Sequence, residues 1–418
     1  MKKVLAIALV LISSLHSANW LMLQGTESKA GHHPWGFLQL RYQDNSGNVM
    51  IKNGVNKTPF SYIKPTLTNQ SELQIARARP GIRGSLDGAN KINYFVLGEI
   101  AQNGVNNSLG IHTDNYLMDT SITLKHLPLY LRFGRFKYAG SEEGNMARFV
   151  SPFITFSTVG DQLMLERFLD TQTPVLPSSD LYIAKPSDGV GAYRDTGVQL
   201  FQSFKLNDTS SLTLSYMLGS GTGVSNNINS HNFTHYGYVS YENILGQGKG
   251  YKQESFKIYS WYQNGQRNLA KRIRYGTGFT YFQNDLRIEA EYMKGKGMIY
   301  TGAKDSNTDT NVNDWKYSMR ASDTNEADGY YILSTYQIFK DLEILARYDI
   351  YNRMSNIDVE YRKFQGITTG FSYIFKGYDR LDVNYIHNKV QAPYNNAANT
   401  ILQSFGNLLS IQYTIVFK

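Results

Sequence analysis

Gly329-Tyr330-Tyr331-Ile332-Leu333-Ser334-Thr335-Tyr336-Gln337-Ile338-Phe339-Lys340-Asp341-Leu342-Glu343-Ile344-Leu345-Ala346-Arg347-Tyr348-Asp349-Ile350-Tyr351-Asn352-Arg353 is the stretch on which the fold turns. Leu342, Ile344, Ala346 and Tyr348 alternate with Glu343, Leu345, Arg347 and Asp349. A β-strand sends successive side chains to opposite faces, so this segment has one apolar and one polar face. The stretch reads as strands over 329–339 and 342–353 joined by Lys340-Asp341 alone. Soluble strands usually run to about five or six residues. These are longer, and match the roughly 9–11 residues of a tilted strand that crosses a bilayer.

The same rhythm recurs along the chain. Leu38, Leu40 and Tyr42 alternate with Gln39, Arg41 and Gln43; Leu212, Leu214, Tyr216 and Leu218 with Thr213, Ser215 and Met217; Leu286, Ile288, Ala290 and Tyr292 with Arg287, Glu289 and Glu291. The last example is Leu409, Ile411, Tyr413, Ile415 and Phe417, interleaved with Ser410, Gln412 and Thr414. Alternation alone does not separate a soluble sandwich from a membrane barrel. The connectors do. Short ones, such as Asp87-Gly88-Ala89-Asn90, His126-Leu127-Pro128, Asn284-Asp285 and Lys376-Gly377-Tyr378, take turns with long polar stretches near 45–70, 102–114, 137–193, 219–232, 296–328, 354–362 and 391–402. Short turns on one rim and long loops on the other are the outer-membrane barrel pattern.

The expected fold is therefore all-β: a transmembrane antiparallel β-barrel of about sixteen strands. The strands fall near 34–44, 72–84, 91–101, 115–125, 129–136, 194–206, 211–219, 233–243, 254–264, 272–283, 286–295, 329–339, 342–353, 363–375, 380–390 and 404–417. The rhythm is faintest over 233–272, and fourteen or eighteen strands are the alternatives.

Composition agrees. The 418 residues include 31 Tyr, 21 Phe and 36 Gly, the mixture that aromatic girdles and tight turns need. There is no Cys, which excludes disulfides, thiolate metal sites and a Cys nucleophile. Mean hydropathy is −0.38. That value is uninformative for a barrel, whose two faces cancel in any window. Met1-Lys2-Lys3 followed by the apolar run Val4 to Ile12 and the small residue Ala18 reads as a secretory signal over 1–18, leaving a single barrel domain over 19–418. The whole chain carries a formal charge of +8, which suits anionic solutes or outer-membrane lipid. Export to the outer membrane leaves no access to nucleic acid.

Three segments resemble the phosphate-selective porins, a family of sixteen-stranded outer-membrane channels. They are Ala76-Arg77-Ala78-Arg79-Pro80-Gly81-Ile82-Arg83-Gly84, Leu131-Arg132-Phe133-Gly134-Arg135-Phe136-Lys137, and Tyr193-Arg194-Asp195-Thr196-Gly197-Val198-Gln199-Leu200; the pair Glu166-Arg167 lies between the last two. The resemblance covers roughly 70–220; beyond it only the strand rhythm matches. It implies a passive channel, a long constriction loop after the second segment, and a homotrimer. Two departures stand out. Pro80 interrupts the Arg-rich strand, where a lost ladder donor predicts a local bulge. The chain also ends Phe417-Lys418 rather than on the aromatic.

A pore needs a constriction, a field and a water path, and no catalyst. The 137–193 connector is the candidate constriction loop, with Glu142, Glu143, Arg148, Glu166 and Arg167 as its charged candidates. Its apolar residues, among them Phe149, Phe153, Ile154, Phe156, Leu163 and Leu165, favour folding into the barrel over a solvated cap. Arg77, Arg79 and Arg83 share one strand face opposite Ala76, Ala78 and Ile82, and Arg132 lies opposite Leu131 and Phe133. With Arg135, Lys137 and Arg194 they are the candidate anion-attracting, pore-lining bases, because arginine forks match phosphate and carboxylate oxygens. The competing reading has these bases paired with Glu99, Asp119, Glu142, Glu143 or Glu166 and merely stiffening the wall. Acids exceed bases by three over 137–193, so an acidic loop faces a basic wall. That predicts a general diffusion pore for small hydrophilic solutes and inorganic anions, with mild anion preference at most. A channel specific for sugars or organic acids is the alternative, and an aromatic track on the inner wall would mark it. An outer-membrane enzyme would need a His, Ser or carboxylate constellation that does not stand out, and an adhesin would not conduct. No metal or other cofactor is expected; His32-His33 reads as a solvated pair.

Overall fold

The computed structural model describes residues 31–46, 71–101, 116–165, 193–221, 233–267, 270–302, 322–396 and 406–417, with the short pieces 50–52, 55–57, 181–183 and 318–320 and single residues 223, 399 and 402. The proposed signal over 1–18 and the pair Glu166-Arg167 lie outside the described residues.

Sixteen strands close into one antiparallel barrel. They are β1 Gly31–Asn45, β2 Ser71–Ser85, β3 Ile92–Glu99, β4 Tyr116–Leu124, β5 Tyr130–Lys137, β6 Arg194–Lys205, β7 Ser210–Gly219, β8 Thr234–Ile244, β9 Ser255–Arg267, β10 Ala270–Gln283, β11 Leu286–Lys296, β12 Glu326–Phe339, β13 Leu342–Arg353, β14 Arg362–Lys376, β15 Asp379–Gln391 and β16 Leu408–Phe417. Each pairs with its sequence neighbour. The ring closes where Leu38 of β1 faces Ile415 of β16. Closure removes the free edges that an open sheet of this size would expose. Every strand read from the sequence is present, the last beginning at 408 rather than 404.

Turn chemistry follows the sequence. Asn284 and Asp285 both adopt positive φ, 49° and 66°, the handedness that a two-residue hairpin requires. The region with the faintest rhythm holds an inversion of the rim pattern. The short-turn rim carries the ten-residue connector 245–254, while the opposite rim joins β9 to β10 within two residues, 268–269.

Pro80 sits in register opposite Gly36, and the bulge falls at Ala76 instead. The backbone of Ala78 points toward β3: its N–H donates to Glu99 Oε1 and its carbonyl accepts from Ile100. Pro80 shares that direction and lies just before the first β2–β3 pair, Gly81 with Leu97, so no ladder donor is lost.

The outward positions form an apolar surface that includes Leu40, Leu214, Ile258, Ile332, Ile344 and Ile367, with Tyr216, Tyr262, Tyr292, Tyr330, Tyr336 and Tyr373 among them. Inward positions are polar and mostly buried, including Gln39, Asn93, Gln199, Lys257, Arg274, Glu289, Arg347, Asp382 and Gln412. Their burial comes from chain that fills the barrel. Residues 138–165 run through the interior, almost all of them buried.

Candidate functional site

The segment 138–165 contains one short helix, α1 Glu142–Asn145, and a π-helical turn at Gly160–Met164. Most of its backbone lies outside any ladder. A buried peptide carbonyl without a partner is costly, so donors must come from the wall. Arginine, with five donors in a fixed fork, supplies most of them. Arg347 donates to the carbonyls of Thr155 at 2.9 Å and Phe156 at 3.1 Å. Arg380 holds the Val150 and Ser151 carbonyls. Arg41 reaches the Ile154 carbonyl at 3.4 Å, and Arg274 reaches that of Leu163 at 3.3 Å. Asn384 accepts from Ile154 N at 2.8 Å, and Asp349 accepts from Thr158 N at 2.8 Å.

Ion pairs complete the fastening. Lys257 lies 2.6 Å from Glu142, and Arg347 lies 3.2 Å from Glu143. Glu143 also accepts from the Ser157 N–H and hydroxyl, each at 2.6 Å. Burial outweighs these partners and raises the Glu143 carboxyl above its ordinary value. Burial lowers the Arg148 guanidinium to about 10, against the pull of Glu143. Ser141 caps α1 and donates to Glu291 at 2.9 Å; Trp261 and Tyr331 donate to the same carboxylate at 2.7 and 2.8 Å.

The sequence candidates divide between two fates. Arg79 pairs with Glu99 and Arg194 with Asp119, each at 2.7 Å, so the wall-stiffening alternative describes these two. Lys137 donates to the carbonyls of Gly144, Asn145 and Met146 and so holds the C-terminal end of α1. Arg132 is fully buried, 4.6 Å from the Phe201 ring, and donates to Thr123 and Gln199. Arg77 donates to Gln39 at 2.8 Å, and Arg41, Arg79, Arg148 and Glu99 are among its charged neighbours. Arg148 lies over the Phe156 ring at 4.1 Å and donates to the Phe153 carbonyl at 2.6 Å. Arg83 is exposed near the short-turn rim.

Arg135 departs from the lumen-facing expectation. It pairs with Thr120 and Thr196 on the outward parity, and its guanidinium turns back to Thr196 Oγ1 and the Leu117 carbonyl. The alternation around Gly134 places Arg135 beside outward-facing Phe133, so nearness to the loop junction was a misleading guide.

Sequence reading missed Arg41, Lys257, Arg274, Arg347 and Arg380. Each has inward parity, which alternation reveals. What it does not reveal is that the partner of each is the loop. Among the described residues, no group of three or more His, Asp or Glu side chains is placed to hold a metal ion.

Solved porins share this architecture. Salmonella typhi OmpF, in a complex with daunomycin, matches with a TM-score of 0.53 at 14% identity over 92% of this chain and 97% of that one. An anion-selective porin from Comamonas acidovorans matches at 0.52 and 11% identity, covering 92% and 98%. The outer-membrane channel DcaP of Acinetobacter baumannii matches at 0.50 and 13%, covering 93% and 98%. No family model matches the chain, and no curated protein resembles it in sequence. The chain has the fold of outer-membrane porins.

Proposed function

We propose that the protein is an outer-membrane porin, a passive channel for small hydrophilic solutes and inorganic ions with mild anion preference. The carrying observation is the sequence of events inside the wall: a polar, Arg-rich inner face surrounds an inward-folded loop. Arg41, Arg79 and Arg148 lie close enough to Arg77 to act on its charge, with Glu99 opposing them. In low-dielectric surroundings such a cluster favours anions over cations. Arg77 and Arg83 are the bases we assign to the solute path, with 138–165 as the constriction, while Arg79 and Arg194 hold carboxylates and Arg132 packs on Phe201. The resemblance to phosphate-selective porins supports the anion preference. The acidic surplus of the loop limits it.

The reading includes a cleaved signal over 1–18, insertion with the short-turn rim toward the periplasm, and a homotrimer surrounded by outer-membrane lipid. Planar-bilayer recording of the purified protein tests it. Stepwise conductance with a reversal potential of anionic sign in a KCl gradient is the expected result. Clear cation selectivity would overturn the anion preference, and no conductance at all would overturn the channel.

A further inference from the structure

Most inward-facing positions are buried against the loop, but several aromatic side chains at the short-turn mouth are only half-buried. Trp35, Phe95, Tyr130 and Phe282 on the wall are half-buried, as are Phe149 of the loop, Tyr251 of the 245–254 connector and Tyr378 of the β14–β15 turn, while Arg83 is exposed. These rings cluster at the short-turn mouth. The Trp35 ring centroid lies 5.6 Å from Phe95 and 6.1 Å from Phe149, and Phe149 meets Tyr378 edge-on at 5.4 Å. These are the offset and edge-to-face separations at which aromatic groups attract. Gly81 makes the arrangement possible: a Cβ there would stand 2.9 Å from Trp35 Nε1, so the indole occupies the space a side chain would take.

Two cations belong to this surface, Arg83 and Arg287. The Arg83 guanidinium lies 5.4 Å from the Trp35 ring, and no ion pair to a described carboxylate engages it. Across the mouth Arg287 is already stacked, 3.8 Å from the Tyr251 ring and 4.5 Å from Phe282, and it donates to the Tyr251 carbonyl. Arg83 has a ring on one side and water on the other. A planar guanidinium beside a ring face, with its fork free, matches a ligand that carries a ring and a carboxylate together.

We propose that the short-turn mouth holds a binding site for a planar aromatic carboxylate, with Arg83 pairing the carboxylate and Trp35 and Phe149 packing against the ring. A small inorganic anion would use Arg83 but leave the rings exposed. An uncharged ring would leave Arg83 unpaired. Only the combined ligand satisfies both features. The site is independent of the porin reading, because binding at equilibrium needs no ion flow.

Equilibrium dialysis of the purified full-length protein in detergent against radiolabelled benzoate tests it, with empty micelles as the blank. The expected result is saturable binding that tenfold excesses of acetate or phosphate do not displace and that cyclohexanecarboxylate displaces less well than unlabelled benzoate. Arg83→Gln should weaken binding about tenfold or more, the scale of one charge-assisted contact, and Phe149→Ala should weaken it as well. Arg83→Lys keeps the charge and should retain most of the binding; heat-modifiable gel mobility verifies that each variant is folded. Binding no better than to empty micelles, equal displacement by phosphate, or unchanged affinity in a folded Arg83→Gln variant would each overturn the proposal.

Discussion

Lys257 on β9 and Glu142 at the start of α1 are joined by a 2.6 Å ion pair whose lysine side chain is fully buried and whose glutamate is 5% exposed. The pair ties the inward-folded segment 138–165 to the wall. Removing one partner of a buried pair leaves an uncompensated charge, which costs about 3–5 kcal/mol. Lys257→Met should destabilise the folded barrel by that order in urea titrations followed by gel mobility. The double variant Lys257→Met/Glu142→Gln should recover a large part of the loss, because both charges leave together. A double variant as unstable as the single would show that the pair is not the cause.

Gly144 tests the seat of α1. A Cβ at this position would stand 2.1 Å from the Tyr193 ring, and Tyr193 donates to the Gly160 carbonyl at 3.1 Å. Gly144→Leu must therefore displace either the helix or the ring, at a cost of roughly 1–3 kcal/mol for overpacking. Single-channel records of this variant should show larger or noisier openings than wild type. Identical conductance and noise would mean that the loop does not limit flow.

Glu143 gives loop docking a pH dependence of defined sign. Its carboxyl is raised above the ordinary value of 4.5, so the docked state holds the proton more tightly than the free side chain does. Ionised, the group opposes docking; that opposition is present above the raised value and disappears as pH falls through it toward 4.5. Loop docking should thus strengthen on acidification, seen as falling conductance between neutral pH and the ordinary carboxylate range. Glu143→Gln should flatten this dependence, and a variant with the wild-type profile would assign it to another group.

Ile332 reports on the outer face. It is outward-facing and 46% exposed, between inward Tyr331 and Leu333. An arginine facing lipid near the bilayer midplane costs about 2–4 kcal/mol. Ile332→Arg should lower the stability of the lipid-inserted barrel by that order in vesicle refolding titrations, while Ile332→Leu should not. Equal stability of the two would place this face out of contact with lipid.

The fold was legible because two local signals agree. The period-two pattern of Leu342 to Asp349 fixes which residues share a face, and turns such as Asn284-Asp285 fix which strands are neighbours. Together they specify a closed meander without knowledge of any distant contact. The Pro80 expectation failed for a related reason: the sequence marks a missing donor but not whether a partner strand needs it there. The strand ranges 233–243 and 254–264 already imply the long connector at 245–254, whereas the two-residue link 268–269 reads in the sequence as part of a longer loop, 265–271.

Parity put Arg77, Arg79, Arg132 and Arg347 on one side of the wall, and that much belonged to the sequence. Their partners did not. Arg79 meets Glu99 across a strand pair, Arg347 meets Glu143 and the Thr155 carbonyl, 204 and 192 residues away, and Arg83 meets a ring rather than a carboxylate. Side-chain direction is set by backbone geometry over two residues, so alternation records it. Which charge finds which partner depends on where the loop lies once the ring has closed, and only the tertiary structure decides that.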